Sequence, residues 1–178
     1  MSIIFGGIRQ IGMVVHDCQS AMEKWARLGV GPFFTMRFTV DDFIYRGSPS
    51  PAPDVTLCFA HSGPIQVELI QQHNDVPSVW REFLDQGREG AQHVAAWYAD
   101  HLTFDAKKAQ LAKEGFVLAQ EGGSRAADAR FAYYDTDEPG GLMFEISEAM
   151  IPAGAAARLA MEQAAEQWDG HDIIAHRN

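Results

Sequence analysis

Four short stretches each carry one polar side chain able to bind a cation: Arg9-Gln10-Ile11-Gly12, Val67-Glu68-Leu69, Gln92-His93-Val94 and Phe144-Glu145-Ile146. In each, the polar residue sits in an apolar or β-branched run. A strand turns successive side chains to opposite faces, so Gln10, Gly12 and Val14 share one face while Ile11, Met13 and Val15 share the other. By the same parity Glu68 lies opposite Val67 and Leu69, His93 opposite Val94, and Glu145 opposite Phe144 and Ile146. With the apolar faces packed under helices, the four polar groups look into one concavity. A buried carboxylate without a partner is strongly disfavoured. Two carboxylates, an imidazole and an amide in one cup are best accounted for by a divalent cation, with Gln10, Glu68, His93 and Glu145 as its ligands. Nitrogen and oxygen donors without a thiolate suit zinc, cobalt, nickel or manganese. Taken singly, each residue has a plainer reading. Gln10 alone reads as a strand residue meeting water, Glu68 and Glu145 as half-exposed carboxylates, and His93 as a hydrogen-bonded core histidine. Only their common parity and repeated placement point to a shared site.

The chemistry open to such a site is Lewis-acid activation of a substrate oxygen, and the family resemblance given below implies that it serves removal of a proton next to a carbonyl. A carbon acid of this kind is too weak for a carboxylate base unless the developing enolate oxygen is stabilised, and a Lewis-acidic cation supplies that. Three or four protein ligands leave coordination positions open for substrate oxygens. Glu145, or Glu68, would then act as the base.

The elements that must position these residues form a repeat. A strand from Ile8 leads to Asp17, which can cap a helix carrying Ala21, Met22, Trp25 and Leu28 at helical spacing, with Gly29 at its end. Strands follow over 33–40, 55–60 and 65–71. The second half opens with a strand over 93–98 and a helix over about 105–113. Strands over 116–119, 130–134 and 141–147 follow. Each half therefore reads β-α-β-β-β and carries a candidate ligand on its first and last strand. The fold class expected is α+β, two β-α-β-β-β modules forming an eight-stranded cup, plus a C-terminal helix. Residues 1–150 are read as one domain made of module 8–72 and module 90–148, joined by a linker helix over 76–87. Residues 151–178 form a helical extension, alanine-rich to Trp168 and frayed beyond it, in which Leu159 is expected to dock. Arg46–Asp54, with three prolines, reads as a loop that could cover the site, and 121–124 as a flexible turn.

Composition narrows the partners. Twenty-four acidic residues against fourteen basic ones give a net charge of −10, which argues against nucleic acid or an anionic membrane surface. No apolar run approaches the ~20 residues of a membrane span, and Met1–Gly7 lacks the features of a signal peptide. Cys18 and Cys58 lack Cys-x-x-Cys spacing and read as reduced thiols of a cytoplasmic protein. His16, His61, His73, His101, His171 and His176 read as surface or turn residues. Trp97, Trp80 and Phe33 read as packing, and Arg125 and Arg130 as solvated cations, with binding of an anionic group as the alternative.

These motifs resemble the vicinal oxygen chelate superfamily, with glyoxalase I and methylmalonyl-CoA epimerase as the most similar branches. The resemblance runs from about Ile8 to Glu148. "RQIGMVVHD" is similar to the first-strand motif, with Gln10 where epimerases have a histidine, and "IQVELI", "GAQHVAAW" and "GGLMFEISE" place Glu68, His93 and Glu145 at the other ligand positions. "WREFLDQGREGAQHVA" and "RFAYYDT" resemble the epimerase-like branch. The ligand set is similar to that of zinc-type glyoxalase I, which implies Glu145 as principal base and Glu68 as fixed ligand or second acid/base. The resemblance implies a divalent-metal-dependent isomerase, epimerase or lyase acting on a small carbonyl substrate. A CoA thioester, a glutathione adduct or a small oxo or hydroxy acid would serve. Lys24, Arg27, Lys107 and Lys108 are candidates to meet the phosphates of a CoA thioester, and a homodimer is expected. Two other classes are an iron-dependent ring-cleaving dioxygenase and a metal-free binding protein of the same fold. The first wants two histidines and one carboxylate, and the second has no use for four ligating side chains.

Overall fold

The structure is a computed structural model that describes residues 4–136 and 141–175. His176, part of the expected frayed tail and the first three residues lie outside them. Strands β1 (Gln10–Val14), β2 (Phe34–Thr39), β3 (Asp41–Tyr45), β4 (Ser48–Pro49), β5 (Asp54–Ser62) and β6 (Ile65–Gln72) precede β7 (Gly90–Trp97), β8 (Leu118–Ser124), β9 (Ala129–Tyr134) and β10 (Met143–Ser147). Helices α1 (Cys18–Ala26), α2 (Val79–Asp85), α3 (His101–Lys113) and α4 (Pro152–Gln167) complete the chain. The helix starts follow local chemistry. The side chains of Asp17, Ser78 and Asp100 accept hydrogen bonds from the amides of Ser20, Arg81 and Thr103, and Pro152 opens α4, where its missing N–H is harmless.

All ten strands lie in one sheet, in the order β2-β5-β6-β1-β7-β10-β9-β8-β3-β4. The two halves meet where β1 pairs antiparallel with β7, and within each half the first and last strands run parallel, β1 with β6 and β7 with β10. β2 and β3 stand near opposite ends of that order, yet only Val40 separates them in sequence. One residue spans only a few ångströms, so the sheet must curl until its ends approach, and a single chain completes the cup.

The α+β class and the two β-α-β-β-β units stand, but among the described residues the strand count rises from eight to ten. β3 and β4 fall in the region between the expected strands of the first half. β3 pairs with β8 of the second half, with Asp41 opposite Gly123 and Tyr45 opposite Gln120, and β4 pairs with β3 at the edge of the sheet. The stretch 121–124, expected as a turn, belongs to β8. The tail is docked rather than frayed up to Ala175: Phe33 donates its amide to Ile173 and accepts one from Ala175, and Ile173 and Ile174 pack on the α1 cluster.

Packing obeys the alternation. The outward residues Val15, Val67 and Leu69 pack with Cys18 and Met22 of α1, while Ala132, Tyr134 and Ile146 pack with Phe104 and Leu111 of α3. Each fully buried valine, leucine, isoleucine, phenylalanine or methionine among them contributes about 1.5–3 kcal/mol. The inward residues Val14, Ile70 and Tyr133 meet Val79, Trp80 and Phe83 of α2, which plugs the floor of the cup. Leu28 and Leu159, both expected to pack, are 75% and 54% exposed. Among the described residues no helix is long and apolar enough to cross a membrane.

Candidate metal centre

Strand register assembles the site in two adjacent rows. In one, Glu68 of β6 stands beside Gly12 of β1, which stands beside His93 of β7. In the next, Gln66, Gln10, Ala95 and Glu145 follow one another across β6, β1, β7 and β10. Gly12 is what lets the rows interlock. A Cβ built there falls 1.7 Å from Cε1 and 2.0 Å from Nε2 of His93, so the imidazole lies across the glycine.

Gln10, Glu68, His93 and Glu145 are all buried. One ligand atom from each of Glu68, His93 and Glu145 lies within 4.8 Å of the others. Nε2 of His93 stands 3.3 Å from Glu68 Oε2 and 3.0 Å from Glu145 Oε2. The second approach lacks hydrogen-bond geometry and leaves Glu145 Oε2 buried without a donor. Nδ1 of His93 lies 2.8 Å from Gln92 Oε1. An amide oxygen only accepts, so the proton is assigned to Nδ1 and Nε2 turns a lone pair toward the carboxylates. Gln92 reaches this position because β7 carries an irregularity opposite Gly12 and Met13, which frees it from strict alternation.

The electrostatics favour a positive charge at the centre. Burial raises the pKa of Glu68, and Glu145 adds to the effect while His93 opposes it. Burial also works against an imidazolium at His93, but Glu145 and Glu68 outweigh it and lift the group to about 9. The two carboxylates thus call for positive charge at this point, which a dication bound at Nε2 would supply in place of a second imidazole proton. Tyr133, raised well above its ordinary value by burial and by Glu145 and Glu68, stays a neutral phenol 3.4 Å from His93 Nε2. One nitrogen, carboxylate oxygens and an orphaned buried acceptor fit a divalent cation. Gln10 donates its amide NH2 to Gln66 Oε1 at 2.9 Å and lines the cavity beside the cluster.

That cavity, of about 170 Å³, is lined by Gln10, Glu68 and Glu145 on its polar side and by Met36, Phe38, Leu57, Phe59 and Phe131 on its apolar side. Sequence reasoning passed over two of its neighbours. Gln66 is fully buried and shares the parity of Glu68, a signal that was present but unused. Arg158 reaches the cavity from α4, where Leu159 was expected to dock. His61, expected at the surface, is 4% exposed, with Nε2 3.2 Å from Gln66 Nε2. His101 is half exposed but bonds Glu148, which is fully buried and also holds Arg130. Arg125 pairs with Asp42, and Lys108 with Glu121. Trp80 and Phe33 are core residues as expected.

A sequence profile of the Glyoxalase/Bleomycin resistance protein/Dioxygenase superfamily matches residues 9–134. Among solved structures, the methylmalonyl-CoA epimerase of Mycobacterium tuberculosis is similar with 23% identity and a TM-score of 0.60, covering 88% of this chain and 96% of that one. A Streptomyces coelicolor methylmalonyl-CoA epimerase variant in complex with 2-nitronate-propionyl-CoA has 19% identity and a TM-score of 0.57, covering 83% and 97%. A hypothetical protein of Bacillus halodurans has 16% identity and a TM-score of 0.55, covering 80% and 93%. No curated protein sequence matches the chain. The match over most of its length places this chain in the Glyoxalase/Bleomycin resistance protein/Dioxygenase superfamily.

Proposed function

We propose that this protein is a divalent-metal-dependent isomerase, epimerase or lyase that removes a proton next to a carbonyl. The observation that carries the proposal is the convergence of Glu68, His93 and Glu145, all buried, with ligand atoms within 4.8 Å at the wall of a cavity. Glu68, His93 and Glu145 would hold the cation, with Gln10 as fourth donor, and the cation when bound supplies Lewis-acid stabilisation of an enolate oxygen. A donor set with one histidine and two carboxylates suits this chemistry better than iron-dependent ring cleavage.

The chain's own residues divide the remaining work. Gln92 fixes the His93 ring, and the neutral Tyr133 hydroxyl stands beside it. The aromatic wall of Phe38, Phe59 and Phe131 keeps water from the reacting carbon. Glu145 takes the proton when it is released from the cation, since no hydrogen bond holds its Oε2 in place. Glu68 is the second acid/base, as an epimerase would need on the opposite face. The cavity offers about the space of half a dozen waters, so only the acyl end of a thioester enters it. Small oxo acids and glutathione adducts are the other substrates to try, and the CoA complexes formed by the similar epimerases support testing thioesters first.

The test is exchange in heavy water. The metal-loaded protein, given CoA thioesters, glutathione hemithioacetals and small oxo acids, should place deuterium next to the carbonyl of one class. Glu145→Gln should retain metal and lose this exchange by about 10²–10⁴-fold, the usual worth of a general base. Exchange by Glu145→Gln at the wild-type rate removes Glu145 as the base. No exchange with any class overturns the reaction.

A further inference from the structure

The C-terminal helix delivers a cation into the cavity, and nothing in the proposed proton transfer uses it. Arg158 lies on α4, and its guanidinium is oriented by three neighbours. Nη1 donates to Gln66 Oε1 at 2.8 Å, Nε donates to the carbonyl of Ala149 at 3.2 Å, and the group lies 4.1 Å from the ring centroid of Trp97. Both acceptors are neutral. Among the described residues no carboxylate lies within ion-pair distance of Arg158, whereas Arg37, Arg46, Arg81, Arg125 and Arg130 each have one.

A guanidinium carries five N–H donors, and these two bonds use two of them. Three remain, on a group that lines the same cavity as Gln10, Glu68 and Glu145. Planar donors of this kind bind a carboxylate in a two-point fork, and the three remaining here are open to a ligand in the cavity. The second reason is charge. Glu68 and Glu145 cancel the charge of a dication between them, so the centre offers no net attraction to a second anionic group, which gains from a further cation at the cavity wall. Gln66 links that group to the candidate ligands, since its Oε1 accepts from both Arg158 and Gln10.

We infer that Arg158 is the specificity group of this site and binds a carboxylate that the substrate carries in addition to its reacting carbonyl. The inference rests on the proton-abstraction reading for the carbonyl, while the carboxylate subsite stands on the geometry of α4. Uncharged ketones and aldehydes of the same size are then poor substrates, and the extension beyond the two modules is part of the site.

Malonate and its uncharged analogue malonamide are the probes, titrated into full-length protein in metal-free and metal-loaded form, with metal content and melting temperature followed in parallel. Wild type should bind malonate, and Arg158→Gln should bind it at least tenfold more weakly with metal content unchanged. Arg158→Lys, which keeps the charge but not the fork, should fall between them, and it decides the matter if Arg158→Gln fails to fold. Malonamide affinity should not respond to either substitution. Equal malonate affinity in wild type and Arg158→Gln, or no malonate binding by wild type, overturns the inference. Malonate binding through Arg158 without α-proton exchange on any carbonyl acid leaves the subsite and removes the reaction. Glu145-dependent exchange with malonate affinity insensitive to Arg158 does the reverse.

Discussion

Replacing Gly12 by alanine probes the site without touching a ligand. The added Cβ would stand 1.7 Å from Cε1, 2.0 Å from Nε2 and 2.4 Å from Nδ1 of His93. An ordinary carbon–carbon contact is about 3.5 Å, so the ring must retreat by roughly 2 Å. Metal–ligand distances tolerate only ~0.2 Å, so the retreat takes His93 out of the cluster it shares with Glu68 and Glu145. Divalent-metal affinity should therefore fall by at least the ~10–100-fold that disturbing a ligand's supporting partner produces. Overpacking should lower stability by about 1–3 kcal/mol, offset by the ~0.5–1 kcal/mol that alanine gains over glycine in a strand. Zinc titration against a chromophoric chelator reads the first effect, and urea unfolding of the metal-free protein reads the second. The control is the double variant: on a His93→Ala background, Gly12→Ala should cost no further affinity, because the ring it collides with is gone. Wild-type zinc affinity in Gly12→Ala would refute the placement of His93 across this glycine.

Two further outcomes follow from the ion pair at the rim and from the docked tail. His101 has its pKa raised by Glu148, so its contribution to stability is fully present below about pH 6.5, the ordinary value. It is lost as the pH rises through the folded value. The melting-temperature difference between wild type and His101→Gln should accordingly be larger at pH 6 than at pH 9, and a difference independent of pH would speak against the pair. Ending the chain after Gln167 removes two hydrogen bonds at Phe33 and the packing of Ile173, Ile174 and Trp168. Urea unfolding should show a loss of about 2–4 kcal/mol, and an unchanged midpoint would mean that the tail does not dock.

How much of this was legible in the sequence depends on the range of the interaction concerned. Alternation is local, so the inward face holding Gln10, Gly12, Glu68, His93 and Glu145 could be read directly, as could the Asp17 cap of α1. β3 could not, because its partner β8 lies far along the chain, and β4 forms only as an edge strand on β3. Pro49 and the prolines around it looked like a loop, yet an edge strand such as β4 tolerates proline. Asp42 and Arg46, both with φ of 49°, further disguise the hairpin. The glycines of 121–124 suggested a turn. The actual constraint at Gly122 is steric, since a Cβ there would stand 2.5 Å from Cγ1 of Val40. Gln66 had the right parity, but its role depends on register with Gln10 and on a helix arriving from the far end of the chain. Helical propensity announced α4 without saying which side would dock, and the side that enters the cavity carries Arg158 rather than Leu159.

The central claim is that Glu68, His93 and Glu145 hold one divalent cation. Elemental mass spectrometry of protein loaded with zinc, cobalt, nickel or manganese and freed of excess by gel filtration tests it most directly. The account predicts about one ion per chain in wild type and a loss of most of it in His93→Ala and in the Glu68→Gln, Glu145→Gln double variant. A wild-type protein that retains none of these metals, or a His93→Ala variant that retains as much as wild type, would contradict it.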